Sequence, residues 1–121
     1  MDDLDLTDVE GVVVGVTETT FLGKRAFIRN LTFDGQVLVH KRFGTRLEDD
    51  ATPDDMRALC VMVLCDAAGN LLFTPGENET YEQTVQRGIA ALAKVDGDEM
   101  QTLFAAAQSV NGWDVEEEIK N

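Results

Sequence analysis

Two cysteines and a single histidine are the side chains of this sequence best suited to specific chemistry. Cys60 and Cys65 are five residues apart in an apolar segment, a spacing that matches neither a CxxC redox pair nor half of a zinc site. Thiols in such a segment behave as small apolar groups, so we expect reduced core cysteines. His40 has two cations beside it and no acid or hydroxyl at a spacing that would orient it. We expect an exposed histidine on a strand.

Acidic side chains are abundant, and their clusters have ordinary explanations. Glu48-Asp49-Asp50 and Glu116-Glu117-Glu118 are typical of solvated charge in a loop and at a helix end. The Asp96–Glu99 run is too short for a calcium loop, whose ligands spread over about twelve residues. The chain contains no GxSxG, GxxxxGK(S/T), GxGxxG or HExxH motif. The sequence therefore predicts no enzyme, no metal site and no cofactor.

Length, composition and charge narrow the function classes further. The 121 residues and 13.3 kDa suit one domain, and 44% apolar residues suit a folded one. A net charge of −13 repels phosphate backbones and anionic membranes, which disfavours a nucleic-acid or membrane partner. No apolar run approaches the roughly 20 residues of a membrane span, and the first residues are acidic where a targeting peptide is basic. We expect a soluble cytoplasmic protein.

The charge divides the predicted domain, residues 1–121, into three parts. Residues 1–10 carry five acids and no base, and we expect a flexible acidic arm. Residues 11–46 have a net charge of +4 and form a β-rich basic part, whereas residues 52–120 form a helical acidic part. The order of strands first and helices afterwards predicts an α+β fold: a small N-terminal antiparallel element, a strand plus a hairpin, followed by three to four packed helices.

The basic part is rich in β-branched and alternating residues. The run from Val12 to Val16 predicts the first strand. Alternating side chains on both sides of Asp34-Gly35 predict a hairpin with its turn at that dipeptide. Residues 24–31 also fit a short helix, because Phe27 and Leu31 are four residues apart; the Asp-Gly turn favours a strand.

Start signals and apolar periodicity predict the helices of the acidic part. Thr52-Pro53 begins one with an N-cap and a proline at its first position. Tyr81 begins the apolar spacing of a second, in which Gly88 costs about 1 kcal/mol relative to Ala. A capping box from Asp98 predicts the start of a third, with Asn111-Gly112 as its end. A last short helix is predicted from Asp114 to Ile119.

Three blocks of the chain, residues 11–27, 56–73 and 102–121, together resemble tail assembly chaperones of long-tailed, siphovirus-type bacteriophages. Residues 56–73, MRALCVMVLCDAAGNLLF, are similar to that family's helix followed by acid-x-x-Gly-Asn and Leu-Phe. Residues 102–121, TLFAAAQSVNGWDVEEEIKN, are similar to its C-terminal block, and residues 11–27, GVVVGVTETTFLGKRAF, to its opening strand and Gly-Lys-Arg element. The family tends to continue into a helix after that element, whereas the Asp-Gly turn here predicts a hairpin.

The resemblance implies a non-enzymatic role in virion assembly. Such a chaperone binds the tape measure protein, keeps that long apolar helical protein soluble, and helps recruit tail tube subunits. It acts in the host cytoplasm and is absent from the mature virion, and a programmed frameshift commonly adds a longer form. The opposite charges of the basic and acidic parts add a prediction of our own, head-to-tail self-association that weakens with salt.

The apolar helical stripes are expected to be mostly core, with a few candidates for contact with a client or another subunit. These candidates are Leu103, Phe104, Ala107 and Trp113, the last because tryptophan commonly anchors a contact by its large apolar face. Two other functions remain open. One is a small acidic phage protein that mimics DNA and inhibits a host protein. The other is a structural subunit of the tail or neck.

Overall fold

Three short strands form the sheet of the N-terminal part. In the computed structural model, which describes residues 3–112, the strands β1 (Val16–Phe21), β2 (Lys24–Arg29) and β3 (Leu64–Cys65) are antiparallel in the order β1-β2-β3. Val16 lies opposite Arg29 at one end of the β1–β2 ladder. Within the described residues five helices follow β2, and β3 lies among them in the chain, so the predicted α+β class is confirmed. The first strand begins at Val16, not at Val12.

The hairpin turn lies at Leu22-Gly23. Both residues have positive φ, 55° and 74°, which is the backbone of the two-residue turns that match the twist of paired strands. The predicted hairpin at Asp34-Gly35 is therefore wrong, and the hairpin lies one segment earlier in the chain. The strand preferred for residues 24–31 is confirmed as far as Arg29.

Residues Phe33–Phe43 form a helix, α2, where the sequence predicted a strand. The Thr32 hydroxyl accepts a hydrogen bond from the Gly35 N–H at 3.3 Å and caps the first turn. Val39 and Phe43 are buried on the inner face of this helix. They are four residues apart, a spacing that fits one face of a strand and one side of a helix equally well. In the structure this segment is a helix that packs both side chains into the core. The β-rich prediction for 11–46 is thus wrong over α2, and His40 is exposed on a helix.

Local signals place the next helices correctly. After the short α3 (Arg46–Asp49), α4 (Pro53–Val63) has the predicted N-cap Thr52, and α5 (Tyr81–Leu92) contains the predicted apolar spacing that starts at Tyr81. Both α4 and α5 start with a capping box, in which the N-cap threonine and the third helical residue exchange hydrogen bonds. The start of α4 was predictable because its cap is encoded in a few adjacent residues, whereas α5 was predicted from its apolar spacing and not from its Thr80 cap.

The last described helix, α6 (Gly97–Asn111), begins two residues earlier than predicted. Asp96 is its N-cap and accepts a hydrogen bond from the Asp98 N–H at 2.8 Å. The predicted capping box starting at Asp98 is therefore wrong, because Asp98 is already inside the first turn. The predicted stop is confirmed, since Gly112 has left-handed backbone with φ 80°. The helix predicted from Asp114 to Ile119 lies outside the described residues.

The centre of the core is α4, which packs against α5 on one side and α6 on the other. Every residue from Ala58 to Val63 is buried. The α4–α5 crossing is close at Gly88, where an added Cβ would lie 2.8 Å from Cγ1 of Val61. This glycine allows the two helices to approach, which explains its position inside a helix.

The first described residues lie outside this core. They contain one short helix, α1 (Leu6–Glu10), capped by Asp5. All residues from 3 to 15 are exposed. The flexibility predicted for residues 1–10 stays a prediction.

Candidate docking surface on the second helix

Three of the four contact residues predicted from sequence are buried. Leu103, Phe104 and Ala107 are only 1%, 6% and 0% exposed, and they belong to the core cluster in which α6 packs against α4. They stabilise the fold of the single chain, and in this structure no partner can reach them. Trp113 lies outside the described residues. A docking surface must therefore be sought elsewhere.

Three of the six exposed large apolar side chains within residues 16–112 lie on α2. Phe33, Val37 and Leu38 are 77%, 36% and 44% exposed. Phe33 and Val37 are one helical turn apart, so they share a side of the helix. The opposite side is held to the core by Val39 and Phe43. The helix therefore has apolar residues both toward the core and toward solvent.

Beside α2 lies an apolar groove of about 210 Å³, which we call the α2 groove. Its walls come from the chain after β2, from α2, from the end of α4 and from the start of α5. The apolar lining residues are Leu31, Leu38, Met62, Leu71 and Tyr81. The polar ones are Arg29, Thr32 and Asp34, together with the backbone of Gly35. Most of this lining is hydrocarbon, which suits an apolar partner side chain.

One wall of the groove is fixed by Asn111, the last residue of α6. Its Oδ1 accepts a hydrogen bond from the Leu31 N–H at 2.9 Å, and its Nδ2 donates to the Ala107 carbonyl at 3.1 Å and to the Arg29 carbonyl at 3.5 Å. These bonds satisfy one backbone N–H just after β2 and two carbonyls, one at the end of β2 and one in α6. Asn111 thereby positions Leu31 in the groove, a role that its Asn-Gly sequence context does not reveal.

An ion pair joins α2 to α5 beside Tyr81. Arg42 donates to both oxygens of Glu82, at 2.6 Å and 3.1 Å. The bonds from Arg42, and next from Gln86, lower the pKa of Glu82 to about 2. The bidentate geometry fixes the orientation of the two helices.

Two cations on or beside the exposed side of α2 have no acidic partner within residues 3–112. Arg25, Arg42 and Arg46 each form an ion pair. Arg29 and Lys41, by contrast, form no ion pair with any part of the chain that the structure describes. Arg29 lines the α2 groove, and Lys41 lies one turn beyond Val37 on the same side of α2. Positive charge and apolar surface therefore occur together, with Asp34 as the acid lining the groove.

The groups considered for chemistry do not form a reactive site. Cys60 and Cys65 are buried free thiols, as predicted. Burial raises the pKa of both, that of Cys60 to about 12, so neither is a ready nucleophile. Within residues 3–112 no three or more His, Cys, Asp or Glu side chains are grouped to hold a metal ion. His40 lines a shallow cavity of about 410 Å³ with Gln36 and Glu48, where no described residue forms a hydrogen bond with its imidazole.

Sequence reasoning missed Phe33, Val37 and Leu38 because it assigned them to a hairpin. The available signal was Thr32, an N-cap residue, with Asp34 in the first turn of a potential helix. That signal predicts the helix, but it does not tell which of its apolar residues remain uncovered.

Comparison of the chain with family models, with curated proteins and with solved structures gives no match. None of the helices in the described part has the length and apolar character needed to cross a membrane.

Proposed function

We propose that this protein is a tail assembly chaperone of a long-tailed bacteriophage, which binds the tape measure protein and keeps it soluble during tail morphogenesis. The observation that carries the proposal is the exposed apolar side of α2 with its groove, on a chain of net charge −13. Exposed apolar residues grouped beside a cavity are typical of an interaction site, and high net charge keeps a complex soluble.

The size of the α2 groove favours the side chains of a docked helix over a small-molecule ligand. At about 210 Å³ it is smaller than the roughly 300–1,000 Å³ of typical ligand pockets. An amphipathic helix in a groove uses a few anchor side chains spaced by three or four residues. Leu38 and Tyr81 line such an anchor position, and the exposed Phe33 and Val37 extend it along α2.

The helix after β2 also supports the resemblance to the chaperone family. That family tends to continue into a helix after its Gly-Lys-Arg element. In this chain the element lies at Gly23-Lys24-Arg25, and α2 follows the strand that it begins. The departure predicted from the Asp-Gly dipeptide is therefore absent. Recruitment of tail tube subunits and a frameshift-extended form belong to the same proposal.

Co-expression with the tape measure protein encoded beside this gene tests the proposal. We expect the client to be soluble and to co-purify with the wild-type chain. A Phe33→Ser/Leu38→Ser double variant should lose the client while remaining folded, because neither side chain belongs to the buried core. Leu22→Ser is the matched control, since Leu22 is an exposed apolar residue in the β1–β2 turn. A client that stays insoluble with ample wild-type protein present contradicts the proposal.

The place of action gives a second test. A chaperone acts in the host cytoplasm and leaves before the tail is complete, so we expect the protein in infected-cell lysate and not in purified virions. Quantitative mass spectrometry of particles measures this. A stoichiometric amount in the virion would instead make the protein a structural tail or neck subunit.

A further inference from the structure

The residues ahead of the sheet form an exposed apolar segment. Six of the thirteen residues from 3 to 15, which we call the leading segment, are apolar. Their exposed fractions run from 37% for Val14 to 83% for Val13. The six are Leu4, Leu6, Val9, Val12, Val13 and Val14. So much exposed hydrocarbon on one short segment is typical of an interaction site.

The leading segment and the surroundings of the α2 groove have opposite charge. The segment carries four acids, Asp3, Asp5, Asp8 and Glu10, and no base. The groove side has Arg29 and Lys41, which form no ion pair within residues 3–112, against the single acid Asp34 in the groove lining. Both surfaces therefore offer exposed hydrocarbon, and their charges attract each other.

We propose that the leading segment of one copy docks on the α2 groove of a second copy. The segment leaves the fold beside its own groove, because Gly15 accepts a hydrogen bond from Asn30 and Val16 lies opposite Arg29. Even so, within residues 3–112 of one chain the segment is exposed and the groove is open. A second copy supplies a groove for the segment and a segment for the groove. When two copies exchange their segments in this way, the two equivalent contacts form a symmetric dimer.

Sedimentation velocity on the purified chain without any client tests this contact, so the result does not depend on the proposed function. We expect a species of at least twice the 13.3 kDa chain mass that dissociates as salt is raised, because exposed charge attraction is screened within about 8 Å at physiological ionic strength. A mass of one chain at low salt and high concentration overturns the proposal.

Variants of the two surfaces identify the contact. Val12→Ser/Val13→Ser on the segment and Leu38→Ser in the groove should each raise the self-association Kd about tenfold or more. Leu22→Ser, an equally conservative change of an exposed leucine outside both surfaces, should leave the Kd unchanged. Equal effects of all three variants, or no effect of the segment variant, contradict the proposal.

Disulfide trapping separates exchange between copies from docking within one chain. Chains carrying Val13→Cys are mixed with chains carrying Leu38→Cys and oxidised; the native thiols are buried and do not compete. We expect a cross-linked heterodimer in much greater yield than from Leu22→Cys mixed with Leu38→Cys. If the Val13→Cys/Leu38→Cys double variant instead cross-links only within one chain at every concentration, the second copy is not the occupant.

Discussion

Gly88→Ala should destabilise the fold, although the same change stabilises most helices. An alanine Cβ at this position would lie 2.8 Å from Cγ1 and 3.2 Å from Cβ of Val61, and closer still to Cγ2. Carbon atoms in favourable contact are about 3.5–4.0 Å apart. Val61 is buried and β-branched, so its side chain has few rotamers through which to move away. The added methyl must therefore push α4 and α5 apart.

The expected loss follows from two opposing effects. Forcing an extra carbon into a close-packed core costs about 1–3 kcal/mol, and the short distances at Gly88 suggest the upper half of that range. Replacing glycine by alanine inside a helix raises the free energy of unfolding by about 1 kcal/mol. We expect the free energy of unfolding to fall by about 1–2 kcal/mol. Urea denaturation followed by far-UV circular dichroism measures it.

Two further variants show whether the methyl contact is the cause. Gly97→Ala is the matched control, because a Cβ at Gly97 has no atom within 4 Å; it should not destabilise. Val61→Ala makes room for the new methyl, so Gly88→Ala in that background should cost about 1–2 kcal/mol less than in the wild type. If Gly88→Ala is as stable as the wild type and the two changes are additive, the close helix approach is refuted.

Three more predictions concern acid, thiols and the groove wall. Hydrogen bonds from Arg87, Gly76 and Thr84 lower the pKa of Glu79 to about 2. The ionised Glu79 therefore stabilises the fold above its unfolded pKa near 4.5, and this stabilisation is lost as pH falls toward 2. In urea denaturation between pH 5 and 2, Glu79→Gln should reduce the fall of the midpoint with pH, whereas Glu77→Gln should not. Cys60 and Cys65 should react with a thiol reagent much more slowly in the native protein than in urea, because both are buried. Asn111→Ala should lower the free energy of unfolding by about 1–3 kcal/mol in the same denaturation assay, since it leaves the Leu31 N–H without its acceptor.

The parts of the fold that the sequence predicts are those whose signals are local. Thr52-Pro53 marks the start of α4, and Asn111-Gly112 marks the end of α6, within two adjacent residues each. The misplaced hairpin shows the opposite case. Val39 and Phe43 fit a strand and a helix equally well, and only their packing in the core selects the helix. A pattern that satisfies two periods needs tertiary contacts to resolve it.

The candidate site was not predictable in the same way. An apolar stripe on a helix says that one side avoids water, but it does not say whether another element of the same chain covers it. The neighbouring α4 covers Leu103 and Phe104. No element within residues 3–112 covers Phe33, and this difference arises from how helices far apart in sequence pack together. Exposure of a given apolar residue is thus a property of the assembled fold.

The two proposals place two partners on one groove, and this has a measurable consequence. If the client helix and the leading segment of another copy both use the α2 groove, they cannot bind it together, and each must weaken the other by the same factor. The leading segment would then cover the groove until a client displaces it. Adding a soluble tape measure peptide should therefore convert the self-associated species into single chains bound to peptide, as measured by sedimentation velocity. A ternary species that keeps the copy-to-copy contact would show that the client uses a different surface, and the groove would belong to self-association alone.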